Sequence, residues 1–140
     1  MTMLQGETEA AVQYSILAVS LGAAAGALVR WGLSLALNSV FTSLSLGTLA
    51  ANLGGCFLAG CALGAFACWP ECGERWSLLI FTGFLGALTT FSAFSVEVVT
   101  LVQSARLVWA GALIALHLCG SLVMTFLGLG VFALLRGAFH

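Results

Sequence analysis

Residues 83–97 read GFLGALTTFSAFSVE, and they carry the most information about the architecture of the chain. It lies inside an apolar run from residue 76 to residue 102, which is long enough to cross the hydrocarbon core of a bilayer as a helix. Near the middle of the run, two glycines and the pair Thr89–Thr90 weaken the helix, because glycine has low helix propensity and threonine hydroxyls compete for backbone carbonyls. The sequence therefore predicts a membrane helix that is broken at mid-membrane.

A break at this depth has chemical consequences. Irregular backbone inside a membrane is tolerated only where protein or a cavity covers it, and the carbonyls that it frees make cation sites. Beyond the break, Phe91 and Phe94 are three residues apart, as are Ser92 and Ser95, so each pair is expected on neighbouring parts of one helix surface. Glu97 follows about one turn before the end of the run.

Three further apolar runs cover residues 14–37, 46–69 and 107–135. Each exceeds the roughly 20 residues that a membrane-crossing helix needs. Nothing in these runs alternates as the strands of a membrane barrel do, so helices are expected. We predict an all-α integral membrane protein with a single domain over residues 1–140 and four transmembrane helices.

Composition excludes several classes of protein. The chain is 61% apolar and 6% charged, whereas soluble domains are close to a quarter charged. A net charge of −1 without a basic run argues against a nucleic-acid partner. We find no paired acids in the spans, no nucleophile beside a base and no phosphate-binding loop, so we expect that the protein is not an enzyme.

Basic residues are divided almost evenly between the two sides of the membrane. Arg75 and Arg136 belong to the side that carries the termini, while Arg106 belongs to the other side, towards which Arg30 could snorkel. Either other cues orient the chain, or it inserts both ways round and pairs antiparallel with itself. Arg30 itself has two interpretations, an interfacial anchor or part of a site.

Polar side chains inside the spans are costly and therefore mark candidate sites. Thr48 and Asn52, one turn apart, form a polar edge on the second span. Asn52 could make an interhelical hydrogen bond or contact an ion with its amide. His117, Ser121 and Thr125 follow one another at i, i+4 steps on the fourth span, which indicates either bundle packing or a hydrated track.

Small residues repeat at helical spacing, as in Gly22-x3-Gly26 and Cys56-x3-Gly60-x3-Gly64. Such spacing lets helix backbones approach closely where the hydrophobic effect does not drive helices together. The pattern predicts tight helix packing and favours an oligomer.

Three motifs together resemble those of the Fluc/CrcB fluoride channels. They read G-x3-GA-x2-RW from residue 22, GTL-x2-N-x2-G from residue 47 and GF-x-G-x2-TTFS-x-FS-x-E from residue 83. The resemblance runs from about Gly22 to Thr125 and covers all four spans in order. Two positions depart from the family pattern: Ala87 stands where a second glycine is common, and Ala93 replaces the usual Thr or Ser.

The resemblance implies an antiparallel, dual-topology homodimer in the inner membrane of a bacterium, with two fluoride pores at the subunit interface. Such a channel lets fluoride leave passively and so lowers cytoplasmic fluoride. It also implies a central sodium ion, structural and not transported, held by the backbone carbonyls of Gly86 and Thr89. The implied pore residues are Asn52, Phe91, Ser92, Phe94, Ser95, Glu97, His117 and Ser121, with Arg30 and Thr48 as structural or vestibule residues.

Two other functions remain open at this point. A small proton-coupled multidrug exporter also has four spans, but it needs a membrane carboxylate, and the first two apolar runs contain none. Its only counterpart here would be Glu97, late in the third run. The second alternative is a structural subunit of a larger membrane complex, which would carry no ion flux alone.

Overall fold

The computed structural model describes residues 2–40, 44–69 and 76–138, with side chains from Glu9 onward. All regular secondary structure in these ranges is helical. Arg75, which entered the charge count above, lies outside the described residues. The elements are α1 (Thr2–Leu37), α2 (Leu46–Cys68), a π-helix (Leu78–Leu85), α3 (Gly86–Leu88), α4 (Phe91–Gln103) and α5 (Leu107–Ala138).

The described part of the chain contains 4 helical segments that are long and apolar enough to cross a membrane. This confirms the prediction of an all-α protein with four such segments. The helices at the two ends are longer than the apolar runs, because α1 begins at Thr2 and α5 continues to Ala138. Residues 2–13 include Glu, Gln and Ala, which are good helix formers and extend α1 past its apolar part.

The third segment contains two irregularities. Its first part, Leu78–Leu85, is a π-helix, which the sequence analysis did not predict. Helical geometry then ends at Leu88 and resumes at Phe91. Between them Thr89 (φ −81, ψ 151) and Thr90 (φ −148, ψ 123) are extended. We call these two residues the Thr89–Thr90 interruption.

The helices pack through their backbones at glycines. α1 lies along the π-helix, and α2 lies along α5. A methyl group on Gly26 would overlap the carbonyl oxygen of Phe84, and one on Gly128 would overlap the carbonyl oxygen of Phe57. Only a residue without Cβ allows these approaches, which is the close packing that the small-residue repeats predicted.

Among the described residues, the buried side chains form small clusters. One contains Leu44, Leu101, Ala110 and Leu113, with Phe94 packed against it. A second cluster, beside the Thr89–Thr90 interruption, contains Ala51, Leu85 and Leu88. Many large apolar side chains are exposed instead, and their number far exceeds what a monomer could present to water. Lipid or another protein chain must therefore cover much of this surface.

Candidate functional site

A groove of about 720 Å³ runs between α4, α5 and the start of α2. We call it the α4–α5 groove. Its floor is mainly apolar, but it also collects most of the polar side chains that the sequence analysis singled out. Six of the eight predicted pore residues line it: Asn52, Phe91, Phe94, Ser95, His117 and Ser121. Thr89, Thr90 and Thr125 line it as well.

Asn52 joins α2 to the Thr89–Thr90 interruption through two hydrogen bonds. The backbone N–H of Thr90 donates to Asn52 Oδ1 over 2.7 Å, and Asn52 Nδ2 donates to the carbonyl oxygen of Thr90 over 3.0 Å. Asn52 is buried, with 8% of its surface exposed. A hydrogen bond from Asn52 to a neighbouring segment was one of the two interpretations that the sequence allowed. The two bonds satisfy the backbone N–H and C=O of Thr90, which lies outside the helices and lacks helical partners. Contact of the remaining amide proton with an ion stays a prediction.

Thr90 also caps the helix that follows it. Its Oγ1 accepts from the backbone N–H of Ala93 over 3.2 Å and lies 3.1 Å from Ser92 Oγ. An extended residue whose hydroxyl bonds the N–H three positions later is the usual start of a helix. Thr90 was absent from the predicted site, although a threonine before a renewed helical run was a signal that could have identified it.

The two backbone carbonyls expected to hold a cation, those of Gly86 and Thr89, lose their normal helical partners. In an α-helix these carbonyls would accept from the N–H groups of Thr90 and Ala93, four residues later. Both N–H groups donate elsewhere, to Asn52 Oδ1 and to Thr90 Oγ1. The Thr89–Thr90 interruption therefore frees both carbonyls from helical hydrogen bonding.

Gly55 of α2 makes room for the interruption. A Cβ at this position would overlap the methyl group of Thr89. Thr89 is also held from within its own segment, since its N–H and its Oγ1 both donate to the carbonyl oxygen of Leu85, over 3.0 and 2.8 Å. The sequence thus fixes Thr89 from two sides, by a glycine on the neighbouring helix and by its own hydroxyl.

Aromatic rings follow one another across the groove. The ring centroids of Phe91 and Phe94 are 5.4 Å apart, and those of Phe94 and His117 are 4.7 Å apart. His117 is 5% exposed; its Nδ1 lies 3.1 Å from the carbonyl oxygen of Leu113, whereas no hydrogen-bond partner lies near its Nε2 among the described residues. Phe91, by contrast, is 78% exposed.

Hydroxyl groups add polar atoms to the groove. Ser95 Oγ donates to the carbonyl oxygen of Phe91 over 2.9 Å, and Thr125 Oγ1 donates to that of Ser121 over 2.9 Å. Each hydroxyl has a single proton, so a hydrogen bond to an anion requires that proton to turn away from its helix carbonyl.

The remaining two predicted pore residues, Ser92 and Glu97, line a different cavity of about 630 Å³ on the other side of α4. We call it the Glu97 cavity. Side chains three residues apart on an α-helix differ in direction by roughly 60° around the helix axis. The boundary between the two cavities lies between the directions of Ser92 and Ser95. The two serines therefore lie on neighbouring parts of α4, as their spacing predicts, but they line different cavities; the pore role of Ser92 and Glu97 stays a prediction.

Glu97 has a structural role in its cavity. Its Oε1 accepts from the backbone N–H of Ser45, at the start of α2, while its buried Oε2 has no hydrogen-bond partner within the described residues. A carboxylate at this position is favoured by the helix dipole and by unpaired backbone N–H groups. Glu97 therefore anchors α4 to the helix that carries Asn52.

Three other predicted residues lie outside both cavities. Thr48 is buried on α2, one turn before Asn52. Arg30 is half-buried, and its Nε has no hydrogen-bond partner among the described residues. Gly86 is exposed, at the start of α3.

Comparison with known proteins agrees with the motifs. Residues 17–129 match the model of the family described as "CrcB-like protein, Camphor Resistance (CrcB)". Proteins named "Fluoride-specific ion channel FluC" from Tolumonas auensis and Pseudomonas aeruginosa are 55% and 57% identical to the chain. These alignments cover 88% and 82% of this chain and 97% and 91% of the relatives. A relative of the same name from Desulfovibrio desulfuricans is 52% identical over 87% of this chain and 95% of its own length.

These relatives come from bacteria, and the chain has four segments able to span a membrane, so it is a multi-pass bacterial membrane protein. The matched region contains all of the α4–α5 groove and the Thr89–Thr90 interruption. The chain belongs to the CrcB family.

Proposed function

We propose that the protein is a fluoride-selective channel of the bacterial inner membrane, through which fluoride leaves the cell passively. The observation that carries this proposal is the α4–α5 groove, which brings amide, hydroxyl, imidazole and phenyl groups together along one path. Relatives more than 50% identical to this chain are named fluoride-specific ion channels. That name favours a channel over the exporter and structural-subunit alternatives.

The chemistry of the groove suits a small, strongly hydrated anion. Fluoride gives up water only where good hydrogen-bond donors replace it, and the amide of Asn52 and the hydroxyls of Ser95 and Ser121 can donate. The edges of the rings of Phe91 and Phe94 carry partial positive charge and attract an anion weakly. Several weak sites in sequence are what conduction needs, because an ion must leave each site as readily as it enters.

The proposed active form is an antiparallel homodimer in which a second copy closes the groove into a pore. The exposure of Phe91, at 78%, supports this arrangement, because an aromatic ring at a conducting site requires a cover that the single chain does not supply. The exposure of Gly86 beside the interruption supports it too. The near balance of arginines on the two sides permits both insertions that an antiparallel pair requires.

The proposed sodium site consists of the carbonyl oxygens of Gly86 and Thr89 from both copies, near the middle of the third span. Both carbonyls are free of helical hydrogen bonds, and neutral backbone carbonyls at broken membrane helices are suitable ligands for sodium. The carbonyl oxygens of Gly86 and Thr89 would hold the ion, whose positive charge would offset the repulsion between these carbonyl dipoles.

Fluoride efflux from liposomes tests the proposal directly. Full-length protein reconstituted in vesicles loaded with potassium fluoride should release fluoride to an electrode when valinomycin relieves the potential, and chloride-loaded vesicles should release far less. Substituting Asn52→Ser should slow fluoride release by at least about tenfold, because a buried donor and acceptor are both displaced.

Asn38→Ser is the matched control, since Asn38 caps α2 through the N–H of Gly47 over 2.9 Å and lines neither cavity. It should conduct like the unmodified protein. Absence of fluoride release, or equal release of chloride, would show that the protein is not a fluoride channel. Uptake of a lipophilic cation that disappears in Glu97→Gln would instead establish the exporter.

A further inference from the structure

The freed carbonyls of Gly86 and Thr89 raise a question that the proposed sodium site does not answer. Gaps in helical hydrogen bonding tend to close, because a buried N–H or carbonyl without a partner is costly. In a continuous helix, the N–H groups of Thr90 and Ala93 would bond these two carbonyls. If the two carbonyls are to stay free, these N–H groups need other hydrogen-bond acceptors.

Each donor has its own substitute acceptor. The N–H of Thr90, which would otherwise bond the carbonyl of Gly86, donates to Asn52 Oδ1 over 2.7 Å. The N–H of Ala93, which would otherwise bond the carbonyl of Thr89, donates to Thr90 Oγ1 over 3.2 Å. One side chain therefore binds the donor that belongs to each carbonyl: Asn52 from α2, and Thr90 from the interruption itself.

The paired bond between Asn52 and Thr90 adds a second constraint. Asn52 Nδ2 donates to the carbonyl oxygen of Thr90 over 3.0 Å, so this third carbonyl is already satisfied. Both backbone groups of Thr90 are fixed by one rigid amide, which holds the residue extended at φ −148 and ψ 123. The same amide thereby sets the direction of the peptide that follows Thr89.

We propose that Thr90 and Asn52 are positioning residues for the cation site, keeping the carbonyls of Gly86 and Thr89 open by binding the two N–H groups that would otherwise close the helix. This inference rests on the proposed sodium site. It assigns a role to Thr90, whose side chain supplies no ligand of its own, and a second role to Asn52 besides contact with fluoride.

Sodium-dependent stability of the full-length protein in detergent tests the inference without any fluoride flux. Its unfolding temperature is measured as sodium replaces N-methylglucamine at constant ionic strength, and the sodium concentration at half-maximal stabilisation is compared between variants. Thr90→Val keeps the shape of the side chain but removes the acceptor, so the N–H of Ala93 turns to the carbonyl of Thr89. The half-maximal concentration should rise by about fivefold, the factor that corresponds to one lost N-cap hydrogen bond.

Thr90→Ser retains the hydroxyl and should restore the original concentration. Thr100→Val is the matched control, because Thr100 lies on the same helix and its hydroxyl donates only to the carbonyl of Val96, over 2.8 Å. Asn52→Leu should also raise the half-maximal sodium concentration, because the N–H of Thr90 would then bond the carbonyl of Gly86. Where Thr90→Val does not fold, Thr90→Ala carries the same test with a smaller side chain.

The possible results separate the two proposals. If sodium fails to stabilise the unmodified protein, the sodium site is wrong, while the efflux experiment still decides whether the protein is a fluoride channel. If sodium stabilises the unmodified protein and both Thr90→Val and Asn52→Leu respond at the same concentration, the positioning role is wrong and the site stands. A shift in Thr90→Val that Thr90→Ser also shows would equally contradict it, because the hydroxyl would then be irrelevant.

Discussion

Phe94 belongs to two environments at once. One side of its ring faces Phe91 and His117 in the α4–α5 groove, with centroid distances of 5.4 and 4.7 Å. Phe94 also packs against the buried cluster around Leu113. A ring that packs against a buried cluster is held more rigidly than one on a free surface.

This placement predicts the effect of Phe94→Ile. Isoleucine can fill much of the space beside Leu113, but it has no ring edge to offer an anion, so the fold should persist while conduction falls. We expect fluoride efflux from liposomes to slow by between about twofold and tenfold, which corresponds to the loss of one aromatic contact at the transition state.

Phe126→Ile provides the comparison, because Phe126 lies on α5, is 73% exposed and lines neither cavity. Its efflux rate should match that of the unmodified protein. Equal slowing in both variants would show that Phe94 acts through general packing and has no specific role towards the anion.

At the scale of elements, the crossing of α2 and α5 determines the position of Asn52 relative to the groove. The backbones meet at Gly60 and Gly128, and Cys61 Sγ lies 3.3 Å from the carbonyl oxygen of Gly128, to which it donates. Because α2 and α5 are in backbone contact, polar side chains from both helices can line the α4–α5 groove. The groove depends on this contact, because Asn52 and His117 reach it from the two helices that meet here.

Gly128→Ala should therefore destabilise the protein. Its new methyl group would overlap the carbonyl oxygen of Phe57, so α2 and α5 must separate, at a cost of about 1–3 kcal/mol in the free energy of unfolding. Unfolding by sodium dodecyl sulfate in mixed micelles measures this difference.

Gly130→Ala is the internal control on the same helix, since a methyl group there meets nothing within 4 Å. It should be neutral or stabilise the protein by up to about 1 kcal/mol, because alanine is the better helix former. A Gly128→Ala protein as stable as Gly130→Ala would show that the two helices do not meet at this glycine.

For the whole molecule, the proposed antiparallel assembly requires a near balance of positive charge between the two sides of the membrane. Arg106 follows α4 and Arg136 lies in the last turn of α5, so they flank the membrane on opposite sides of a four-span chain. Few other charges orient the chain. Small changes in this balance should bias its insertion, and a chain that inserts in one direction cannot form an antiparallel pair.

Two oppositely biased proteins test this arrangement. One combines Gln103→Arg with Arg136→Gln, which concentrates positive charge after α4, and the other carries Arg106→Gln. Each expressed alone should give vesicles with much less fluoride efflux than the unmodified protein, and co-expression should restore it. Arg106→Lys keeps the charge and should behave like the unmodified chain. Full efflux from either biased protein alone would contradict the antiparallel dimer.

The sequence predicted the elements well and the site in part, for identifiable reasons. Apolar length alone identified four spans, since the membrane imposes helices on them. Helical spacing brought His117 and Ser121 onto one surface, and the motif around Asn52 identified the residue that meets the interruption. Spacing placed Ser92 close to Ser95 on α4, but it could not locate the boundary between the α4–α5 groove and the Glu97 cavity, which depends on how neighbouring helices pack around α4.

Two features could not be predicted from the sequence because they involve contacts between distant parts of the chain. The π-helix at Leu78–Leu85 packs closely against α1 at Gly22 and Gly26, a contact between distant parts of the chain that the local sequence does not show. The bond from Ser45 to Glu97 joins residues far apart in the chain. Thr90, in contrast, has a recognisable local signal, because a threonine directly before a renewed helical run is a typical helix N-cap.

Because the helices contact each other through backbone atoms at glycines, the substitutions that the protein tolerates should differ from those of a soluble domain. In a soluble domain the severe substitutions shorten large core side chains and leave cavities. Here large side chains mostly face outward, and the interior contacts are made by atoms that no substitution can remove. Mutational tolerance should thus be inverted: truncation to alanine is widely accepted, whereas adding a single carbon at Gly26, Gly60 or Gly128 is not.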